Sequence, residues 1–545
     1  MNRILRPGVN CMGIYGVRMS GLMVDGHDYY RAFFEAANGA QRYILLAGWQ
    51  FDSEARLLRG KAAEHAGDVR LLPFLNRLCE KNPELSVYIL AWDFAEIYLI
   101  DREWFQEWVF NWSTNQRVHF RFDNRHAVAA SHHEKYAVVD GIVAFVGGMD
   151  ICANRWDDRD HLADNPDRKN PQGELYEPYH DAQSCHIGPV AEALTDLFKT
   201  RWQNSGGGML DLPIQDGDFP GEIRPTLPIH ADEAAISRTR AKGVLAPQES
   251  IQEIRNLYID ALSAAERLIY IENQYVSSGA VHRALTDRLR AKNRPKLQIV
   301  LILPRRQHAI TEAIALGLAQ AKMLKSLGEI ASMEGHSIGI YYCLAEPRDK
   351  DVAVYIHSKL LVVDDRFMTL GSANTTNRSM GLDTELNVSW EAYSEKHEGL
   401  TRSIRTARIS LLREHAGLGD NEGIDVETVS GLVQRLDKLV DSGKCRLRRH
   451  TMETIIDRDI LPEEFKPEDL MLDPERPVVE ENIFELISHD KTGLFSEGIT
   501  LLRDALIREK KGVLRRLLGI MWKRPLTVVL LLALLLWLVL RWLGR

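Results

Sequence analysis

The feature that most restricts the fold of this chain is an internal duplication: the pattern His-x-Lys-x4-Asp occurs twice. The first copy runs from His133-Glu134-Lys135 to Asp140, the second from His357-Ser358-Lys359 to Asp364. Their flanks match as well. A Val-containing stretch (Tyr136 to Val139, Leu360 to Val363) leads into each Asp, and a Gly pair or Gly-Ser follows. A motif this long, repeated with its surroundings, implies an internal repeat in which two related units each carry one copy.

The spacing has a direct physical reading. A Val-rich segment ending in turn residues reads as a buried strand, so side chains two apart share a face. His133 therefore points with Lys135, and His357 with Lys359. An imidazole that can attack or donate a proton, set beside a fixed ammonium, suits a phosphate oxyanion. Asp140 and Asp364 complete the two candidate catalytic sets with His133, Lys135, His357 and Lys359. They stand at an odd offset from their His, however, and point away from it, bracing the strand end or the Lys. Another group must then orient each imidazole. Asp181 and Asp383 are the candidate carboxylates, each able to hold a His in its working tautomer. After the motifs come Phe145-Val146-Gly147-Gly148-Met149-Asp150 and Thr369-Leu370-Gly371-Ser372-Ala373-Asn374. Small residues there let backbone approach a ligand, and Asp150 or Asn374 can reach back to it.

With Ile269-Tyr270-Ile271-Glu272-Asn273-Gln274-Tyr275 in the second half, the paired motifs resemble those of the phospholipase D superfamily. The stretch from His132 through Gly147-Gly148-Met149-Asp150 to Arg155-Trp156-Asp157 looks like the true phospholipase D branch. The resemblance runs from about Tyr30 to about Asn387. It implies two similar α/β lobes packed as a pseudo-dimer with both motifs in one cleft. It also implies a phosphohistidine intermediate, formed by one His while the other protonates the leaving alcohol. The family pattern favours His133 as nucleophile and His357 as acid, whereas the symmetry of the motifs leaves the assignment open. Lys135, Lys359 and Asn374 are implied to bind the phosphoryl oxygens, with Glu272, Asn273 and Gln274 lining the site. No metal or other cofactor is implied, and a monomer holds a complete site. Asp150 departs from the Asn that many members carry. His119, His161, His180 and His186 lack a repeated context and read as structural or solvated.

Composition narrows the substrate class. A net charge of −8 argues against a nucleic-acid binder held mainly by phosphate contacts. The six cysteines are scattered without CxxC pairs, which indicates neither a zinc site nor a disulfide framework. Met1 to Tyr15 lacks the apolar core of a signal peptide. The other end differs: Pro525 to Leu540 carries no charge. As a helix this run rises about 24 Å, and Trp542, Leu543 and snorkelling Arg541 and Arg545 extend it toward the roughly 30 Å of a bilayer core. It reads as a single C-terminal transmembrane anchor. The basic residues before it place the catalytic part on the cytoplasmic side, as in a bacterial inner membrane. Ile499 to Trp522 is amphipathic and basic, suited to an anionic lipid surface.

The expected organisation is a first lobe (1–204), a linker (205–229), a second lobe (230–392), a helical extension (393–497), the basic amphipathic segment (498–522) and the anchor (523–545). The expected activity is cleavage of the distal phosphodiester of a glycerophospholipid to phosphatidic acid and a free alcohol, at a membrane and with no nucleic-acid partner. Two alternatives stay open: a cardiolipin synthase-like phosphatidyltransferase and a nuclease of the same superfamily.

Overall fold

In a computed structural model of the protein, the described residues are 3–92, 109–111, 114–127, 130–213, 219–242, 249–306, 310–419, 425–451 and Asp473. Seven strands of an eight-stranded sheet run, in spatial order, Met19–Val24, Ala182–Ile187, Val143–Gly147, Tyr136–Val139, Tyr43–Gly48, Ser86–Trp92 and Val118–Asp123. Seven strands of the second sheet follow the same plan: Glu233–Arg240, Glu385–Glu391, Phe367–Gly371, Leu360–Val363, Leu268–Glu272, Gln298–Ile302 and Ser337–Cys343. In both sheets the first four contacts along this order are antiparallel and the last two parallel. The duplication seen in the motifs thus extends to seven strands of each sheet.

Alternation along the strands explains how two such sheets share a molecule. Tyr43, Leu45 and Ala47 join Leu268, Tyr270, Val300 and Val362 in one core between the sheets. Ile44 and Leu46 point the other way, onto the helices Asp25–Asn38 and Leu71–Lys81. Ile269 and Ile271 likewise face Glu253–Ala264 and Gly279–Arg290. Strands covered on both faces read as continuous apolar runs, as YILLAG at 43–48 does. Each such side chain, fully buried, is worth about 1.5–3 kcal/mol.

The lobe boundaries differ from the expected ones at the N-terminus. Gly13–Gly16 pairs with Glu233–Arg240 of the second sheet, and the amides of Ile4 and Leu5 donate to the Glu391 carboxylate at 2.6 and 2.9 Å. The first strand is therefore spent on the far lobe before Met19 enters its own. The extension is also part of the core: in the helix Glu398–Ala416, Ile404, Ala407, Leu411 and Leu412 are fully buried, and Gly417 ends it at φ 65°. Leu447–Arg449 adds an edge strand to Ser337–Cys343.

The single transmembrane helix of the expected architecture is corrected. No helix among the described residues is long and apolar enough to cross a membrane. The uncharged run on which that reading stood spans about 24 Å as a helix, short of a bilayer core. The segments 498–522 and 523–545 lie outside the described residues, as does most of 452–497.

Candidate active site

Each motif His opens onto the boundary between the lobes because the strand that follows it runs inward from there. The segment before each His is stitched to the opposite lobe. The amide of His133 donates to Thr384 O at 2.9 Å, and that of His357 to His180 O at 2.8 Å. Tyr355–Ile356 pairs in parallel with Tyr179–His180, and His132 bridges Thr384 in the same sense. In both places the next residue of the partner strand is a carboxylate. Nδ1 of His357 lies 2.6 Å from Asp181 Oδ2, and Nδ1 of His133 lies 3.1 Å from both oxygens of Glu385. Each imidazole is thus oriented by the lobe that does not contain it, with Nε2 left for chemistry.

The lysines complete the site. Lys135 Nζ donates to His133 O at 2.9 Å and lies 3.4 Å from Asp150 Oδ2. Lys359 donates to His357 O, and to Gln274 Oε1 at 3.2 Å. Gly148 allows the close packing here, since a Cβ at that position would stand 2.4 Å from Asp181 Oδ1. The side chains of His133 and His357 keep 19 % and 10 % exposure while Asp181 and Glu385 keep none, so only the rings are reachable.

The electrostatics follow from burial. Both imidazoles are held well below their ordinary range, first by desolvation and then by Lys135 and Lys359. Each ring therefore feels the lysine of the other motif, and the two motifs act as one site. Burial pushes Glu385 up to about 7 and Asp181 up to about 6. Burial also brings Lys359 down to about 7. The site is short of favourable charge until an anion arrives, which suits a phosphodiester guest.

The other expected residues divide. Asp140 and Asp364, grouped above with the catalytic residues, stand a strand's length away from the rings. Asp140 accepts the amides of Gln41, Arg42 and Tyr43 at 2.7–2.8 Å, and Asp364 those of Glu266, Arg267 and Leu268 at 2.7–2.8 Å. Both occupy left-handed backbone, at φ 55° and 56°. They fasten the motif strand to its neighbour and touch no reacting group. Asp383, expected to orient a His, binds Arg378 and the amide of Ser131 instead. Glu385 takes that role and was missed. The repeat carried the signal: Gly147 pairs with Gln183 as Gly371 pairs with Asn387, so Asp181-x-Gln183 corresponds to Glu385-x-Asn387.

Asp150 spends Oδ1 on the amide of Trp49 at 2.8 Å. Its counterpart Asn374 is buried with Oδ1 lacking a hydrogen-bond partner, which leaves that side chain available to a ligand. Of Glu272, Asn273 and Gln274, only Gln274 reaches a motif side chain from the cleft. Asn273 Oδ1 accepts the amides of Tyr275 and Thr375. Glu272 lies behind the site, where it accepts from Tyr270 and Ser358 and faces His180 and His415 at 3.1 and 3.0 Å. His161, His180 and His186 are fully buried, and His119 stacks on Tyr88.

Known proteins resemble this chain in the same sense. Residues 258–401 match the family model described as cardiolipin synthase, PLD-like domain. Phospholipase D alpha 1 of Carica papaya is 23% identical over 551 residues, covering 77% of this chain and 67% of that protein. Phospholipase D1 of Saccharomyces cerevisiae is 24% identical over 437 residues, covering 66% of this chain and 26% of that protein. The crystal structure of a phosphatidylserine synthase from Haemophilus influenzae aligns at a TM-score of 0.49 and 13% identity, over 79% of this chain and 95% of that one. The chain spans about two thirds of the papaya protein's length. The family model and the sequence relatives support a lipid enzyme of the phospholipase D type, a phosphodiesterase or phosphatidyltransferase.

Proposed function

We propose that this phospholipase D-type enzyme cleaves the distal phosphodiester of glycerophospholipids through a covalent phosphohistidine, releasing phosphatidic acid and the headgroup alcohol. The observation that carries the proposal is the crossed pairing of His357 with Asp181 and of His133 with Glu385. Two imidazoles, each with Nδ1 engaged, present two Nε2 atoms to one phosphate flanked by two ammonium groups.

His133 Nε2 attacks phosphorus and the P–O bond to the headgroup breaks. The bound phosphate anion offsets the burial and the lysine charges that otherwise keep His357 neutral. His357 therefore holds a proton in the complex and passes it from Nε2 to the departing alkoxide. Neutral His357 then takes a proton from water as the hydroxyl oxygen attacks phosphorus and the P–N bond breaks. An alcohol in place of water gives transfer. The bond from His357 to Asp181 is 2.6 Å against 3.1 Å for His133 to Glu385, and the shorter one suits the imidazole that must carry the extra proton. Lys135 and Lys359 with Asn374 stabilise the phosphoryl oxygens as charge develops.

The cardiolipin synthase description of the matching family model favours a second reading, in which a lipid alcohol takes the place of water. Product analysis on mixed phospholipid vesicles, with and without ethanol, separates the two. Hydrolysis gives phosphatidic acid that yields to phosphatidylethanol as ethanol rises, in wild type and not in His133→Ala. A diester such as cardiolipin as the main product without ethanol would mean transfer. No lipid product from the folded protein would sink both readings.

A further inference from the structure

Behind the reacting groups lies a buried cluster that the chemistry above does not use. Asp25 at the start of the helix Asp25–Asn38 and Glu414 near the end of Glu398–Ala416 converge on His161 and His180. Nε2 of His161 lies 3.5 Å from Asp25 Oδ2 and 3.2 Å from Glu414 Oε1. Nδ1 of His180 lies 3.0 Å from Asp25 Oδ1 and 3.0 Å from Glu414 Oε1. We infer that Asp25, His161, His180 and Glu414 bind one divalent transition-metal ion, which clamps the helix Glu398–Ala416 to the first lobe behind His357.

Four observations carry this. The first is spacing: one donor atom from each of the four residues lies within 4.8 Å of the others, and Glu414 Oε1 stands 3.2 and 3.0 Å from the two imidazole nitrogens, near the roughly 3.3 Å between ligands of a tetrahedral ion. The second is the outer layer. Asp157 Oδ2 takes Nδ1 of His161 at 3.0 Å, and Glu272 Oε2 takes Nε2 of His180 at 3.1 Å. Each imidazole gives its proton outward to a carboxylate and turns its lone pair inward, the arrangement that orients metal-binding histidines.

The third is a pair of orphans. His180 Nδ1 and Asp25 Oδ2 make no hydrogen bond, although both residues are fully buried. Leaving buried polar atoms unpaired costs about 1–3 kcal/mol each, and an ion among them satisfies both. The fourth is charge. Asp25, Asp157, Glu272 and Glu414 face Arg159 and Arg168, and the two positive charges still needed are supplied either by protons on His161 and His180 or by one divalent cation in their place.

The donor set, two imidazoles and two carboxylates without sulfur, suits Zn2+ and its first-row neighbours rather than Mg2+ or Ca2+. The second possible group, His180 with Glu272 and His415, is less apt because Glu272 already accepts from Tyr270 and Ser358. The ion acts on the reaction only by position. His180 precedes Asp181, whose amide donates to Asp25 Oδ1 at 3.2 Å and whose carbonyl accepts the amide of Asp25 at 2.8 Å.

The test uses the full chain, purified without a metal-affinity tag, incubated with Zn2+ and desalted. Elemental analysis is expected to find about one zinc per chain in wild type and in His133→Ala, and less than a tenth of that in His161→Gln and Glu414→Gln. A strong chelator is expected to lower the melting temperature of wild type by several degrees and to leave the two variants unmoved. X-ray absorption on the wild type is expected to show two imidazole and two oxygen ligands, which decides the matter even where a variant fails to fold. The inference is overturned by no retained zinc with chelator-insensitive melting, by equal zinc in the two variants, or by a spectrum with sulfur or a single imidazole.

Discussion

Nδ1 of His357 lies 2.6 Å from Oδ2 of Asp181, across the boundary between the two lobes. Neither lobe owns a working imidazole without the other. An amide at this position cannot stabilise the imidazolium and favours the wrong tautomer. Asp181→Asn is expected to lower kcat by about 10³–10⁴-fold, with KM and the melting temperature nearly unchanged. A loss under about tenfold in steady-state assays would show that the carboxylate does not serve the ring.

The neighbouring pair Asp383 and Glu385 gives a sharper contrast. Glu385 faces Nδ1 of His133, whereas Asp383 holds Arg378 and the amide of Ser131. Glu385→Gln is expected to cost at least about a hundredfold in kcat, and Asp383→Asn less than about tenfold. The reverse order would reassign the orienting group.

Much of this was legible in the chain, and the misses share one cause. The strands Tyr136–Val139 and Leu360–Val363 lie where the Val-containing stretches pointed, because each is covered on both faces. His133, Lys135, His357 and Lys359 were readable from a period of two. Partners that arrive from the other lobe were not. A carboxylate two residues from the right one, Asp383 for Glu385, looks equally good until strand register is known. The buried network of Glu272, His180, His415 and Glu414 joins three distant segments, and no local spacing announces it. The role of Asp140 and Asp364 was half-visible: the odd offset turned them from the rings, yet the three amides each one caps are 96 to 99 residues upstream.

The shifted groups fix a pH profile. Glu385 at about 7 must lose its proton to hold the His133 imidazole, and Lys359 at about 7 must keep its own to meet phosphate. The charged pair is scarce on both sides, so kcat/KM is expected to be bell-shaped with its maximum near pH 7. Glu385→Gln is expected to flatten the acid limb of the residual activity. Stability takes the opposite shape. Glu385 is raised, so its folded form binds more protons and stability falls as pH rises from about 4.5 to 7. Lys359 is lowered, so the unfolded form binds more protons and stability rises from about pH 7 to 10.5. Denaturant melts of wild type against Glu385→Gln across that range check the sign.

Asp140 is a matter of folding rather than catalysis. Replacing it by Ala strands three amides and puts a β-carbon residue at φ 55° without the side chain that holds it there. At about 1 kcal/mol or more per lost charge-assisted bond, the cost is expected to be about 3 kcal/mol or more. Asp140→Asn keeps one acceptor and tolerates the left-handed backbone, so it should cost less. Activity per folded molecule is expected to stay within a few-fold for both, measured beside urea denaturation. A thousandfold loss in a fully folded Asp140→Asn would place this carboxylate in the chemistry after all.

The division of labour between the two imidazoles can be tested through the leaving group. A p-nitrophenyl phosphodiester of a short-chain lipid departs as a phenolate and needs no proton. If His357 is the acid, His357→Ala is expected to release p-nitrophenol in a burst of about one equivalent. It should then stall, because the neutral imidazole that activates water is gone. Mass spectrometry should find the phosphatidyl adduct on the peptide holding His133. His133→Ala, lacking the nucleophile, is expected to give neither burst nor adduct. If the roles are exchanged, the burst belongs to His133→Ala and the adduct to His357. The ordinary substrate, whose headgroup leaves as an alkoxide, should give no burst with either variant, because departure then needs both rings.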